Sequence, residues 1–282
     1  MINNLLKTAI IISIIFFLSS VIHAQETYNL QYKFIKDNSY SYNSDVNLQM
    51  TQEVMGKEMK VNSNIHGVIR FKVDDVVDNG DIYFTTAMDS ATLKSNASGK
   101  DTAVSLTGLI GKRVKCVISK FGEVKDCTMI DTIDDLNSRM MNIQQEVKRY
   151  FSTFAGKDIK IGDSWNSSAT DTTRNYSGDI ISIVDMTYTL SGKENKLGRE
   201  CFKIPFSGKI KISGKGNMQG TDFNLDGDGT SSGTFYFDGN AGILVYTDGT
   251  MDDDITIATT GEQSMVIPIT QNLKYSNSLV NK

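Results

Sequence analysis

The chain has 282 residues, a formal charge of −4, 39% hydrophobic residues, 23 glycines and two prolines. The acidic balance leaves no basic patch of the kind that phosphate backbones attract, so nucleic acid is excluded as an expected partner. The length allows a real core, as one large or two small domains, and the many Gly, Thr, Ser and Asn residues point to strands joined by turns.

Residues 1–24 read as a secretory signal peptide: Lys7 supplies a positive charge, TAIIISIIFFLSSVI follows it, and Ala24 precedes a cut before Gln25. That run is shorter than the roughly 20 residues of a membrane-spanning helix, and no comparable run follows it, so no span is expected after cleavage. Export to the periplasm, cell surface or medium permits disulfides among Cys116, Cys127 and Cys201. No cysteine lies near the cut, which argues against a lipid anchor.

From Tyr40 to Val54 polar and apolar residues alternate, with Tyr42, Val46, Leu48 and Met50 on one face. Period 2 predicts a strand with one dry face. Met55-Gly56-Lys57 turns the chain, Ile65, Ile69, Phe71 and Val73 share the dry face of the return, and Asp78-Asn79-Gly80 predicts a hairpin into DIYFTTAMDSATL. Strands of this reach normally twist and curl. Between Asp131 and Gly156 the spacing of Ile133, Leu136, Met140, Ile143, Val147, Tyr150 or Phe151, and Phe154 changes to three and four, predicting an amphipathic helix over 132–155 capped by Asp131 or Thr132. Strand patterns resume: Phe202, Ile204, Phe206, Ile210 and Ile212 share a face, Pro205 marks an edge or a bulge, and Gly239-Asn240-Ala241-Gly242 joins two further strands.

The expected fold is therefore mainly β with one long amphipathic helix: a strongly curved antiparallel sheet, half-barrel or barrel-like. It forms a single domain over 25–282 whose halves, about 25–130 and 157–275, are loosely duplicated around the helix, since KDNSYSYNSDV parallels KIGDSWNSSAT.

After cleavage His66 is the only histidine, on a wet strand face, so histidine-dependent hydrolysis and zinc binding have no basis. The pairs Asp74-Asp75 and Asp134-Asp135 and the triplet Asp252-Asp253-Asp254 read as solvated turn or cap residues rather than a catalytic carboxylate pair. NLDGDGTSSGTF places Asn224, Asp226 and Asp228 as in the start of a calcium loop, but Phe235 stands where the closing Glu belongs, so it reads as a polar loop. No catalytic residue, metal or cofactor is expected. Asp89-Ser90-Ala91, Asp101-Thr102-Ala103, Asp131-Thr132-Ile133 and Asp171-Thr172-Thr173 resemble an O-glycosylation sequon of exported Bacteroidota proteins. A tight turn at Phe121-Gly122 puts Cys116 directly across from Cys127, within reach of a disulfide. A three-residue loop would shift the register and spoil that alignment.

The order LQYKFIKDNSYSY, IRFKVDDVVDNGDIYF, GKRVKCVISKFGEVKD, linking helix and IKIGDSW resembles an uncharacterised secreted family of Bacteroidota over most of the chain. The resemblance implies an exported β-rich architecture and no catalysis. The layout is also similar to periplasmic lipoprotein-carrier folds, a likeness of architecture only. The leading expectation is a non-enzymatic exported protein that holds a hydrophobic ligand such as a lipid or acyl chain. Tyr42, Leu48, Met50, Phe71, Phe206 and Ile210 would line the cavity under a lid of Met140, Ile143 and Phe151, unless these residues form a closed core. The alternative is a structural or adhesive cell-envelope protein.

Overall fold

In the computed structural model residues 26–97, 99–133, 143–175, 178–218, 220–260 and 264–280 are described. The expected signal peptide lies outside them, as do Met140, Asp134 and Asp135.

Strand β2 (Ser39–Val54) follows the predicted alternation and turns at Met55 and Gly56, whose φ values of 51° and 73° are both positive, into β3 (Lys57–Val76). The Asp78-Asn79-Gly80 turn leads into β4 (Ile82–Ala97), against whose far end β5 (Lys100–Val104) folds back. Strands β6 (Arg113–Ile118) and β7 (Val124–Met129) complete this series. The second series is β9 (Ser164–Asn175), β10 (Gly178–Thr189), the short β11 (Gly192–Lys196), β12 (Arg199–Met218), β13 (Thr221–Asp238), β14 (Ile243–Thr259) and β15 (Val266–Leu279). All pair antiparallel in the order β7-β6-β4-β3-β2-β15-β14-β13-β12-β10-β9, so the pairing of β15 with β2 joins the two series into one sheet. Two short strands, β1 (Thr27–Tyr28) and β8 (Ile159–Lys160), pair apart from it.

Two parts of the expected fold class are corrected. The sheet is neither closed nor strongly curled: β7 and β9 end it as separate edges. The long helix is also absent from the described residues. Among the described residues of 132–155 only α1 (Ile143–Lys148) is α-helical, and the backbone then tightens through Tyr150 N to Val147 O and Phe151 N to Lys148 O before running non-helically to Ala155. The cause is the competition for backbone groups and aromatic rings. Ser152 N donates to the Tyr32 hydroxyl (2.9 Å), Phe154 N to Phe121 O (2.8 Å), and Trp165 Nε1 to Thr153 O (2.7 Å). These bonds replace the helical ones while Tyr150, Phe151 and Phe154 all enter the core. Nor does Asp131 cap a helix: its carboxylate accepts from the Arg113 amide (3.0 Å) and guanidinium (2.8 Å), closing the end of β6 and β7.

The core occupies one end of the sheet. Phe71 packs edge-on to Tyr42 (centroids 5.8 Å), Phe84 (5.4 Å) and Phe151 (5.7 Å). From the N-terminal segment Tyr32 meets Phe151 (5.5 Å), Phe154 (5.1 Å) and Phe237 (5.3 Å). The edge-to-face pairs among these, all but the tilted Tyr32–Phe154, add about 0.5–1.5 kcal/mol each to the burial itself.

Cys116 and Cys127 are bonded, with Cα atoms 4.1 Å apart, at directly opposed positions of β6 and β7. The loop is the three-residue kind, closed by Ser119 N to Glu123 O (2.8 Å) with Gly122 at φ +87°. The register is nevertheless restored, because it shifts again between Val117 and Ile118 and leaves Lys125 as a bulge. Lys125 Nζ then reaches Asp81 at 2.7 Å.

Pro205 is not on an edge strand. Strand β12 pairs with β10 up to Phe206 and with β11 from Lys203 back, so Pro205 sits where its neighbour is interrupted. Lys203 O accepts from Ser191 N on that side, so the odd residues of β12 point their amides there, and the proline's missing N–H faces the break. NLDGDGTSSGTF is not a loop: it runs inside β13, with Asn224, Asp226 and Asp228 on the exposed face.

Candidate functional site: an apolar strip beyond the core

The dry face does not end with the aromatic core. Beyond Trp165, Tyr188, Phe206 and Tyr275, the same face carries Val184, Ile210, Ile212, Met251, Ile255 and Leu48, in register across β10, β12, β14 and β2. It runs eight residues further along β10, from Tyr188 to Ile180, about 26 Å at roughly 3.3 Å per residue. Its residues are mostly half-buried, and none belongs to the hydrophobic core cluster or packs against it, apart from Met186 at the near end. The opposite face of the same strands is exposed and polar, with Lys209, Lys211, Asp226, Asp228, Asp252 and Asp254, apart from Ile181 and Ile183.

Glycines let neighbouring side chains lie low on this strip. Gly227, Gly229 and Gly233 on β13 and Gly208 and Gly214 on β12 lie on its face, flanked by larger aliphatic residues. Neighbouring side chains lie over them: Met186 over Gly208, Phe206 over Gly233, Asp253 over Gly229 and Ile255 over Gly227.

One row crosses it as Ile210, Gly229, Asp253, Gln271, Met50 and Val61. Asp253 is 5% exposed and its Oδ1 takes no hydrogen bond from the protein. Its carboxylate lies over Gly229, where any side chain would collide with it. Burial pushes the Asp253 carboxyl up to about 6, Asp252 raises it further, and Arg149 pulls it back in part. Arg149 Nη1 donates to both carboxylate oxygens of Glu146 (2.9 Å each), and its guanidinium sits over the Tyr275 ring at 5.9 Å. Burial also pushes the Tyr275 hydroxyl up to about 12.

The residues expected to line a cavity divide between the two zones. Tyr42, Phe71, Phe206 and Phe151 belong to the closed core. Ile210, Leu48 and Met50 lie on the strip, where Met50 Sδ accepts from Gln271 Nε2 at 3.8 Å. Ile143 opens α1. Sequence reasoning missed Asp253 by treating the triplet Asp252-Asp253-Asp254 as a turn. Inside a strand of period 2 the middle of three acids must face opposite to its neighbours, which was the available signal.

His66 is on the wet face, its Nδ1 2.7 Å from Asp45. Among the described residues no group of three His, Cys, Asp or Glu side chains could hold a metal ion, and no helix is long and apolar enough to cross a membrane. A second, polar groove of about 380 Å³ separates the edge strands β7 and β9, where Gln144 Nε2 donates to Cys127 O (2.6 Å) and Lys148 pairs with Asp171 (2.6 Å).

Residues 137–244 match DUF6263, a family of unknown function. That stretch takes in α1 and the strands from β8 to β13, with the first residues of β14. No curated protein matches the chain. Among solved structures, Pseudomonas aeruginosa OccK5 (OpdH) aligns over 88% of this chain and 100% of its own, at 7% identity and a TM-score of 0.26. Pseudomonas aeruginosa OpdQ aligns over 87% and 99%, at 8% identity and 0.21. The translocator domain of the autotransporter NalP from Neisseria meningitidis aligns over 88% and 90%, at 10% identity and 0.22. At such scores these likenesses carry no argument about fold or function.

Proposed function

We propose that this is an exported, non-enzymatic binding protein that holds a long-chain hydrophobic ligand along the apolar strip. The observation that supports it is the strip itself: an apolar face that extends past the aromatic core and remains mostly half-buried without joining it. A sheet that only needed a core would place polar residues on both faces beyond the last core contact, as monomers rarely leave large contiguous apolar patches. The N-terminal leader-like segment and the disulfide favour an exported setting.

On this reading affinity grows with chain length. Each methylene laid on the strip contributes about 0.8 kcal/mol, close to fourfold in Kd. Titration of the purified chain from residue 25 with alkyl amphiphiles of increasing length, followed by native mass spectrometry, tests this. Length-dependent binding that is lost in Ile212→Lys and kept in Ile183→Lys supports it, since Ile183 lies on the opposite face. Binding that ignores chain length, or that Ile183→Lys weakens as much, sinks it.

A further inference from the structure

The strip contains one group that an apolar ligand alone would not need. Asp253 is nine-tenths buried, its Oδ1 has no partner, and the sheet makes room for it only because residue 229 is glycine. Its surroundings on the facing elements are neutral or already paired. On β13 the residues beside it are Gly227, Gly229 and Ser231, and on β15 they are Gln271 and Leu273, with Tyr275 one step further. From the segment after α1 the only charge is Arg149, whose Nη1 donates to both oxygens of Glu146. On its own strand Asp252 and Asp254 point to the other face. The strip therefore carries one buried acid whose Oδ1 has no donor and whose charge Arg149 offsets only in part, and an unpaired buried acceptor is costly unless something donates to it.

Resting on the reading of the strip as a ligand site, the geometry points to Asp253 as the anchor for a cationic head group: the preferred ligand is an alkyl chain that ends in an amine, with the ammonium on Asp253 and the chain along Ile210, Ile212 and Ile255. An ammonium gives the carboxylate a charge-assisted hydrogen bond once the side chain turns off Gly229 to meet it, and the pair leaves the strip electrically neutral. A fatty acid would instead bring a second negative charge to within contact of the first. The carboxyl, pushed up to about 6, is ionised at neutral pH and takes a proton as the pH falls, so amine binding weakens in acid.

The test compares dodecylamine, dodecanol and dodecanoate, below their aggregation limits, on the chain from residue 25 and on Asp253→Asn. For the unmodified chain at about pH 7.5, dodecylamine should bind about tenfold or more tighter than dodecanol, with dodecanoate weakest. The preference for the amine should vanish at about pH 5 and in Asp253→Asn at every pH. Asn fills the same volume and removes a buried charge, so the variant folds. An amine preference that survives Asp253→Asn, or a preference for dodecanoate, overturns the assignment while leaving the strip as a ligand site. Failure of all three to bind overturns both readings.

Discussion

Replacing Asp253 by Asn should make the protein more stable at neutral pH and leave it unchanged in acid. Asn mimics the protonated carboxyl, so the variant reports what ionising this group costs. In the fold the carboxyl is raised from 3.8 to about 6, first by burial, then by Asp252 and, less, by Asp254, with Arg149 opposing. The unfolded chain therefore releases its proton first as pH rises. Stability attributable to this group is full below about pH 4, falls between about 4 and 6, and stays lowered above that. At 1.36 kcal/mol per pH unit the gap comes to about 3 kcal/mol. Urea denaturation with the disulfide intact, at about pH 4 and pH 7.5, should show midpoints that coincide in acid and separate at neutral pH, with unchanged slopes. Coincident midpoints at pH 7.5 would refute the claim that Asp253 is buried and unpaired. A gap of the same size at both values would show that Asn packs better, and that the charge is irrelevant.

Three further outcomes follow from the same geometry. Phe71→Ala removes a ring at the centre of the aromatic cluster and should cost about 3–5 kcal/mol, whereas Ile255→Ala on the strip should cost no more than about 1 kcal/mol; urea midpoints compare them. Replacing Cys116 and Cys127 by Ser opens a loop closed across 11 positions and should cost about 3 kcal/mol, seen as a lower midpoint that reductant no longer moves. Gly229→Ala places a methyl where the Asp253 carboxylate lies and should destabilise by about 1–3 kcal/mol. Its combination with Asp253→Ala should be markedly less than additive, as expected for groups in contact.

The strands were legible because a half-buried strand writes its period into every second residue. The alternation from Tyr40 to Val54 falls within β2, and the turns at Met55-Gly56, Asp78-Asn79-Gly80 and Gly239–Gly242 all separate strands. The helix was misread because spacing alone cannot tell a helix that buries one stripe from a short helix followed by an irregular segment that buries every aromatic. The bonds that end α1 come from Tyr32 and Phe121, more than a hundred and about thirty residues upstream, which no local pattern records. Pro205 was read as an edge or a bulge for lack of the same long-range information: an interior strand can hold a proline where its neighbour changes from β11 to β10. The candidate lining residues were chosen by face, and face was right. Whether a residue on that face meets the core or lies beyond it depends on how far along the strand Tyr150, Phe151 and Phe154 reach, and that is set by tertiary contacts.

The most direct test of the strip as a ligand site is a methyl-labelled isoleucine spectrum recorded while dodecylamine is added. The methyls of Ile210, Ile212, Ile255 and Ile257, which share the strip, should shift together and saturably, while those of Ile118 and Ile204, sealed in the core, stay in place. Shifts confined to the exposed Ile181 and Ile183 of the opposite face, or no saturable shift anywhere, would contradict it.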